Sequence, residues 1–324
     1  MQEVFYFSPP IHHQAKPSTM QRRSFIKNSL VTATAVAATG TAAISQTNPT
    51  LSGKHHFKMK YAPHLGMFQN SAGNDPIDQL KFMADQGFRA FEDNGMMGRE
   101  VTLQEKMAST MANLGIEMGV FVVAFDNWPL STSLTSNDKT WHDKFVKTCQ
   151  QAVEVAKRVN AKWMTVVPGN FDRSLPMGIQ TTNVIDALRR GAEIFEPHGL
   201  TMVLEPLSDT PDLFLRHSDQ TYLICKAVNS PACKILYDIY HLQKNEGRLI
   251  YHIEKCWDEI AYFQIGDEPG RKEPTTGEIN YKNIFKYIHE KGYQGIMGME
   301  HGNFHTGREG EMALINAYME VDGF

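Results

Sequence analysis

From residue 59 onward the chain repeats one unit: a short apolar run, then a longer stretch with apolar residues at steps of three and four. The runs are MKYAPHLGMF (59–68), FRAFEDNG (88–95), EMGVFVVAFD (117–126), KWMTVVPG (162–169), LTMVLEPL (200–207), CKILYDIYH (233–241), AYFQIGDE (261–268) and GIMGMEH (295–301). Short apolar runs of this kind fit strands covered on both faces, and the helical stretches supply the cover. The clearest helical stretch is 138–160, where Phe145, Cys149, Ala152, Val153, Ala156 and Val159 mark one face. Stretches 181–196, 281–291 and 309–320 behave similarly. Gly87, Gly115, Gly199 and Gly292 stand where helix-ending glycines are expected. This rhythm predicts an α/β fold, a single-domain (β/α)8 TIM barrel over residues 58–324. A doubly wound open sheet fits less well, because no GxGxxG follows the first run.

The 36 acidic residues slightly outnumber the 32 Lys and Arg, for a net charge of −4, and no basic stripe occurs. Nucleic acid is therefore not an expected partner. Cys149, Cys225, Cys233 and Cys256 show no CxxC spacing and read as small buried apolar residues.

The N-terminal part differs in kind. MQRRSFIK (20–27) is followed by SLVTATAVAATGTAAIS (29–45), a basic pair ahead of an uncharged run too short to span a bilayer. The pair resembles the twin-arginine export motif, with Gln21 at a position where Ser or Thr is usual. Residues 20–46 are thus expected to be a removable signal, 1–19 an upstream extension and 47–57 a linker. The expected location is exported and periplasmic, with no stable membrane span after signal removal.

In such a barrel the site gathers at the C-terminal ends of the strands. Glu205, Asp238, Gln264 and Glu300 end four successive runs, each embedded in apolar residues, and are expected at one depth in the barrel mouth. Three carboxylates converging in a partly dry cavity repel one another, which raises their pKa values or demands a cation. With the Gln264 amide they form an all-oxygen set. That favours Mg²⁺ or Mn²⁺, with Co²⁺ open. Asp238 is accordingly expected to share an ion rather than pair with a basic side chain. Glu92, at the end of the second run, is expected to brace the site by hydrogen-bonding His241, or to meet the substrate.

LEPL (204–207), YDIYHLQ (237–243), FQIGDEPGRKEPTTGEINY (263–281) and GMEHG (298–302) together resemble the hydroxypyruvate isomerase family. That family lies among the xylose-isomerase-like barrels, which include ketose 3-epimerases. The resemblance is densest over 204–300 and looser before 160, where GFRAFE (87–92) agrees. It implies that Glu205 and Glu300 each hold the metal and move a proton. Asp238 and Gln264 complete the metal site, His241 hydrogen-bonds a substrate oxygen, and Arg271 faces the substrate's hydroxyl or carboxylate end. It also implies a homo-oligomer. The first half departs from the pattern. The third run ends VVAFDNW without a His-Asn pair, His64 stands where Asn is usual, and no lysine follows Gly169. Trp128 is a candidate pocket wall.

The residue types suit this chemistry by themselves. A divalent ion polarises a hydroxy-carbonyl compound, a carboxylate removes the acidified C–H proton, and a second carboxylate returns a proton. Return to the neighbouring carbon is isomerisation, and return to the same carbon is epimerisation. A dehydratase or lyase on a keto-sugar could reuse the site. An exported, non-catalytic sugar-binding barrel is the alternative of another class.

Overall fold

The computed structural model describes residues 55–124 and 133–324. The expected signal, the residues before it, most of the linker and Trp128 lie outside the described residues.

Among the described residues nine short strands represent the eight runs: β1 Lys60–Ala62, β2 Ala90–Phe91, β3 Glu117–Met118, β4 Phe121–Val122, β5 Trp163–Val166, β6 Thr201–Leu204, β7 Cys233–Asp238, β8 Ile260–Gln264 and β9 Ile296–Gly298. All pairings between them are parallel, in the order β1-β9-β8-β7-β6-β5-β4, with β2-β3 apart. The ring closes through the second run. Glu92 N–H donates to Pro63 O (3.1 Å), Gly119 N–H to Phe91 O (2.7 Å) and Val122 N–H to Asn94 O (3.3 Å). The third run is split in two around Gly119. A side chain there would place its Cβ 2.4 Å from Tyr262 Oη.

Among the described residues eight principal helices alternate with the runs, joined by two short ones. They are α1 Gln69–Ala72, α2 Pro76–Asp85, α3 Val101–Leu114, α4 Lys139–Val159, α5 Met177–Phe195, α6 Ser218–Val228, α7 Ile239–Asn245, α8 Leu249–Cys256, α9 Tyr281–Glu290 and α10 Gly307–Val321. The clearest predicted helix is α4. Its six predicted inward residues are all buried, and Asp138 caps it by accepting from Thr140 N–H at 2.7 Å. Burying a Phe or Val side chain of this kind contributes about 1.5–3 kcal/mol, and an Ala methyl less. Gly115 and Gly199 end their helices in the left-handed region (φ +68° and +65°), as expected. All four cysteines are buried and free. Among the described residues no helix is long and apolar enough to cross a membrane.

Two cores result. The larger lies between helices and strands. The smaller fills the barrel's interior: Ala62, Ala90, Val120, Val203, Leu236, Tyr262 and Ile296, one from each of seven runs. Side chains two residues apart on a strand share a face. The residues two steps on are His64, Glu92, Val122, Glu205, Asp238, Gln264 and Gly298. An apolar floor thus carries a mainly polar storey above it, and the site occupies that storey.

Candidate active site

The structure brings Glu205, Asp238 and Glu300 together. With His241, they offer ligand atoms all within 4.8 Å of one another. The expected common depth needs correcting for Glu300. The position level with Gln264 on β9 is Gly298, and Glu300 stands two residues further out.

The run 233–241 is not strand throughout. β7 ends at Asp238, whose carboxylate caps α7 by accepting His241 N–H at 3.1 Å. One carboxylate therefore ends a strand, starts a helix and presents its other oxygen to the site. That Oδ2 accepts from Arg271 Nη2 at 3.1 Å. Arg271 Nη2 also donates to Glu300 Oε2 at 2.7 Å. Asp238 thus has a basic partner after all, contrary to the sequence expectation. Arg271, expected to face the substrate, lines the cavity while bonded to the protein's own carboxylates. Burial alone would lower its pKa, but Asp238, Glu300 and Glu205 raise it.

His241 Nδ1 faces Ser208, receiving its backbone N–H at 3.2 Å and lying 2.8 Å from its hydroxyl. A backbone N–H only donates, so Nδ1 accepts and the neutral ring carries its proton on Nε2. Nε2 lies 3.7 Å from Asp238, 3.9 Å from Glu205 and 4.0 Å from Asp209. Burial keeps the ring's pKa low. A protonated Nε2 offers a hydrogen bond and no metal lone pair, which sets His241 apart from the carboxylate oxygens around it.

Gln264 Oε1 is buried and has no hydrogen-bond partner among the described residues. An orphaned amide oxygen beside three carboxylates fits a hard divalent cation better than any protein donor present. Glu92 does not reach His241. It is 1% exposed, and Tyr262 Oη donates to its Oε2 at 3.1 Å.

The sequence reading missed three residues. Asn94 Nδ2 donates to Glu300 Oε1 at 2.7 Å, yet in FEDNG it reads as a turn residue. Ser208 and Asp209 sit in a loop with no strand or helix pattern. Asn94 and Asp209 join Glu205, His241, Arg271 and Glu300 around a cavity of about 260 Å³, walled by Val122, Val123, Ala124, Val167 and Leu207. That suits a small polar molecule held against one apolar side.

Burial raises the Glu92 and Glu205 carboxyls well above their ordinary value, with the charge of Glu300 the next cause. Burial raises Glu300 as well, offset in part by Arg271. Between the ordinary and the raised values, the folded protein holds protons that the unfolded chain has released. This stabilisation is complete below the ordinary carboxyl range and is lost as pH rises through the raised values. Protein stripped of divalent ions should therefore melt lower at about pH 8 than at about pH 5.5, and saturating Mn²⁺ should flatten the difference. A melting temperature that climbs with pH across this window in stripped protein would contradict the assignment.

The model of the xylose isomerase-like TIM barrel family matches residues 80–318. The 2-oxo-tetronate isomerase of Cupriavidus necator is 27% identical over 244 residues, 75% of this chain and 92% of that one. The hydroxypyruvate isomerase of Escherichia coli is 31% identical over 152 residues, 46% of this chain and 59% of that one. Among solved structures, 3-keto-D-glucoside 4-epimerase from E. coli superposes with a TM-score of 0.68 at 16% identity, over 82% of this chain and 99% of that one. With its barrel closed and its polar storey at the strand ends, the chain belongs to the xylose isomerase-like TIM barrel family.

Proposed function

We propose that this chain is a metal-dependent isomerase of a small hydroxy-carbonyl compound, working by proton transfer through an enediolate. The hydroxypyruvate/tartronate semialdehyde pair, 2-oxo-tetronate or a related small sugar is the substrate class, after the substrates named in its isomerase relatives. The observation that carries this reading is the convergence of Glu205, Asp238 and Glu300 beside the unpartnered Gln264 oxygen.

Glu205, Asp238, Gln264 and Glu300 would hold the ion, Mg²⁺ or Mn²⁺ by their oxygen chemistry. When bound, it supplies Lewis acidity that lowers the cost of removing a proton next to a carbonyl. The remaining work falls to the chain. Glu300 accepts from both Asn94 and Arg271, and those bonds favour its ionised form, as a proton acceptor requires. Glu205 has no comparable donors among the described residues, and burial pushes it well toward holding a proton. Carboxyls driven apart in this way suit an acid and a base at one site. His241 Nε2–H would donate to a substrate oxygen, and the wall around Val122 and Leu207 excludes water from the intermediate.

The test is solvent deuterium wash-in with hydroxypyruvate, 2-oxo-tetronate and a panel of small ketoses, with and without Mn²⁺. Metal-dependent exchange at the carbon next to the carbonyl is expected, with product analysis separating isomer from epimer. No exchange from any member, despite binding, would replace this reading with that of a sugar-binding barrel. The Arg22-Arg23 stretch supports export of the barrel as part of the same proposal. Retention of a fusion in the cytoplasm after Arg22→Lys and Arg23→Lys would bear on it.

A further inference from the structure

Gly298 lies beside Gln264 in the β8–β9 register, at a place where an inward side chain would otherwise stand. The space is taken by Glu92, reaching across from the second run. A Cβ on Gly298 would fall 1.9 Å from Glu92 Oε2 and 2.6 Å from its carboxyl carbon. On the other side, a Cβ on Gly119 would lie 3.3 Å from Glu92 Cβ as well as striking Tyr262 Oη. Two missing side chains thus make a slot for one carboxyl group. Tyr262, two residues before Gln264 on the same face of β8, donates its hydroxyl into that slot.

A glutamine amide has a donor end and an acceptor end of nearly equal size, so its orientation must be set by a neighbour. The slot at Gly298, the register partner of Gln264, sets the Glu92 carboxyl against the Gln264 amide, which acts on the acid as a hydrogen-bond donor. Only the N–H₂ end can make that bond, and a carboxyl oxygen accepts it whether or not the acid is ionised. The other end, Oε1, is the buried oxygen left without a partner.

We propose that Glu92 is a positioning residue: it fixes the Gln264 amide with its N–H₂ end turned to the slot, so that the carbonyl oxygen is the end offered to the cation. Glu92 itself touches neither ion nor substrate. The inference rests on the metal-dependent reading and deepens it, because it assigns the partner that makes glutamine usable as a ligand. Groups that orient ligands in this way are commonly worth about 10–100-fold in metal affinity.

The test is Mn²⁺ affinity by calorimetry on the folded protein, independent of any substrate. Glu92→Leu is expected to weaken Mn²⁺ binding about 10–100-fold. Glu92→Gln, which keeps an acceptor oxygen, should stay within a few-fold of wild type. In a Gln264→Ala background, Glu92→Leu should have no further effect, since its influence passes through that amide. Should Glu92→Leu fail to fold, Gly298→Ala supplies the same displacement and the same expected loss. Wild-type affinity in Glu92→Leu, or losses that multiply in the double variant, would overturn the assignment while leaving the metal site standing. A wild-type protein that binds no divalent ion would overturn both.

Discussion

Glu205→Gln and Glu300→Gln are each expected to cut turnover by about 10²–10⁴-fold without unfolding the barrel. Both changes keep the side chain's shape but remove its charge and its ability to take or give a proton, so turnover is compared at saturating Mn²⁺. Their surroundings argue that the two losses differ in origin. Glu300 stands at the mouth with both oxygens hydrogen-bonded, one from Asn94 and one from Arg271. An amide there would turn one N–H against a donor, so part of the loss should appear as altered Arg271 placement. Glu205 is 6% exposed, and the neutral His241 ring lies 3.9 Å from it at Nε2. An amide fits that place with little strain, so its loss should be almost purely chemical. Circular dichroism and melting curves establish folding, and deuterium exchange establishes chemistry. Turnover near wild type in either variant would remove that glutamate from the reaction.

Arg271→Met should destabilise protein stripped of divalent ions by about 3 kcal/mol, the lower end of what breaking a buried pair costs. The lower end applies because the guanidinium is 28% exposed while Asp238 is 0% exposed. Asp238 and Glu300 would lose their shared cationic partner in one step. For a chain of this size the loss corresponds to roughly 5–10 °C in melting temperature. Saturating Mn²⁺ should recover most of that loss, since an ion held by the same carboxylates supplies the missing charge. Recovery would show that guanidinium and ion act on one set of oxygens. A variant that melts with wild type in stripped protein would mean that Arg271 carries no such burden.

The barrel was legible because every strand and most helices obey a local rule. Apolar runs, a step of three and four, and terminal glycines all point the same way. The identity of the carboxylate cluster was legible for the same reason: each member ends a run at the C-terminal side, where this architecture collects its chemistry. What was not legible depends on side chains reaching between runs. The break after Asp238 within the run 233–241 was hidden because the seam between β7 and α7 carries no Gly or Pro, and the capping bond to His241 N–H becomes visible only in three dimensions. Asn94 and Ser208 lie in loops, whose paths local patterns do not fix. Arg271 has a left-handed backbone (φ +48°), which no arginine advertises, and that loop turns its guanidinium back over Asp238.

Gly298 and Glu92 share one volume across the barrel, 206 positions apart in sequence. Each alone behaves as an intolerant site: a methyl group at 298 collides with the acid, and a longer residue at 92 has nowhere to go. Varied together, they become exchangeable, with bulk moved from one strand to another while the total is conserved. A redesign of this barrel's interior therefore has one degree of freedom here where a position-by-position scan would count two prohibitions.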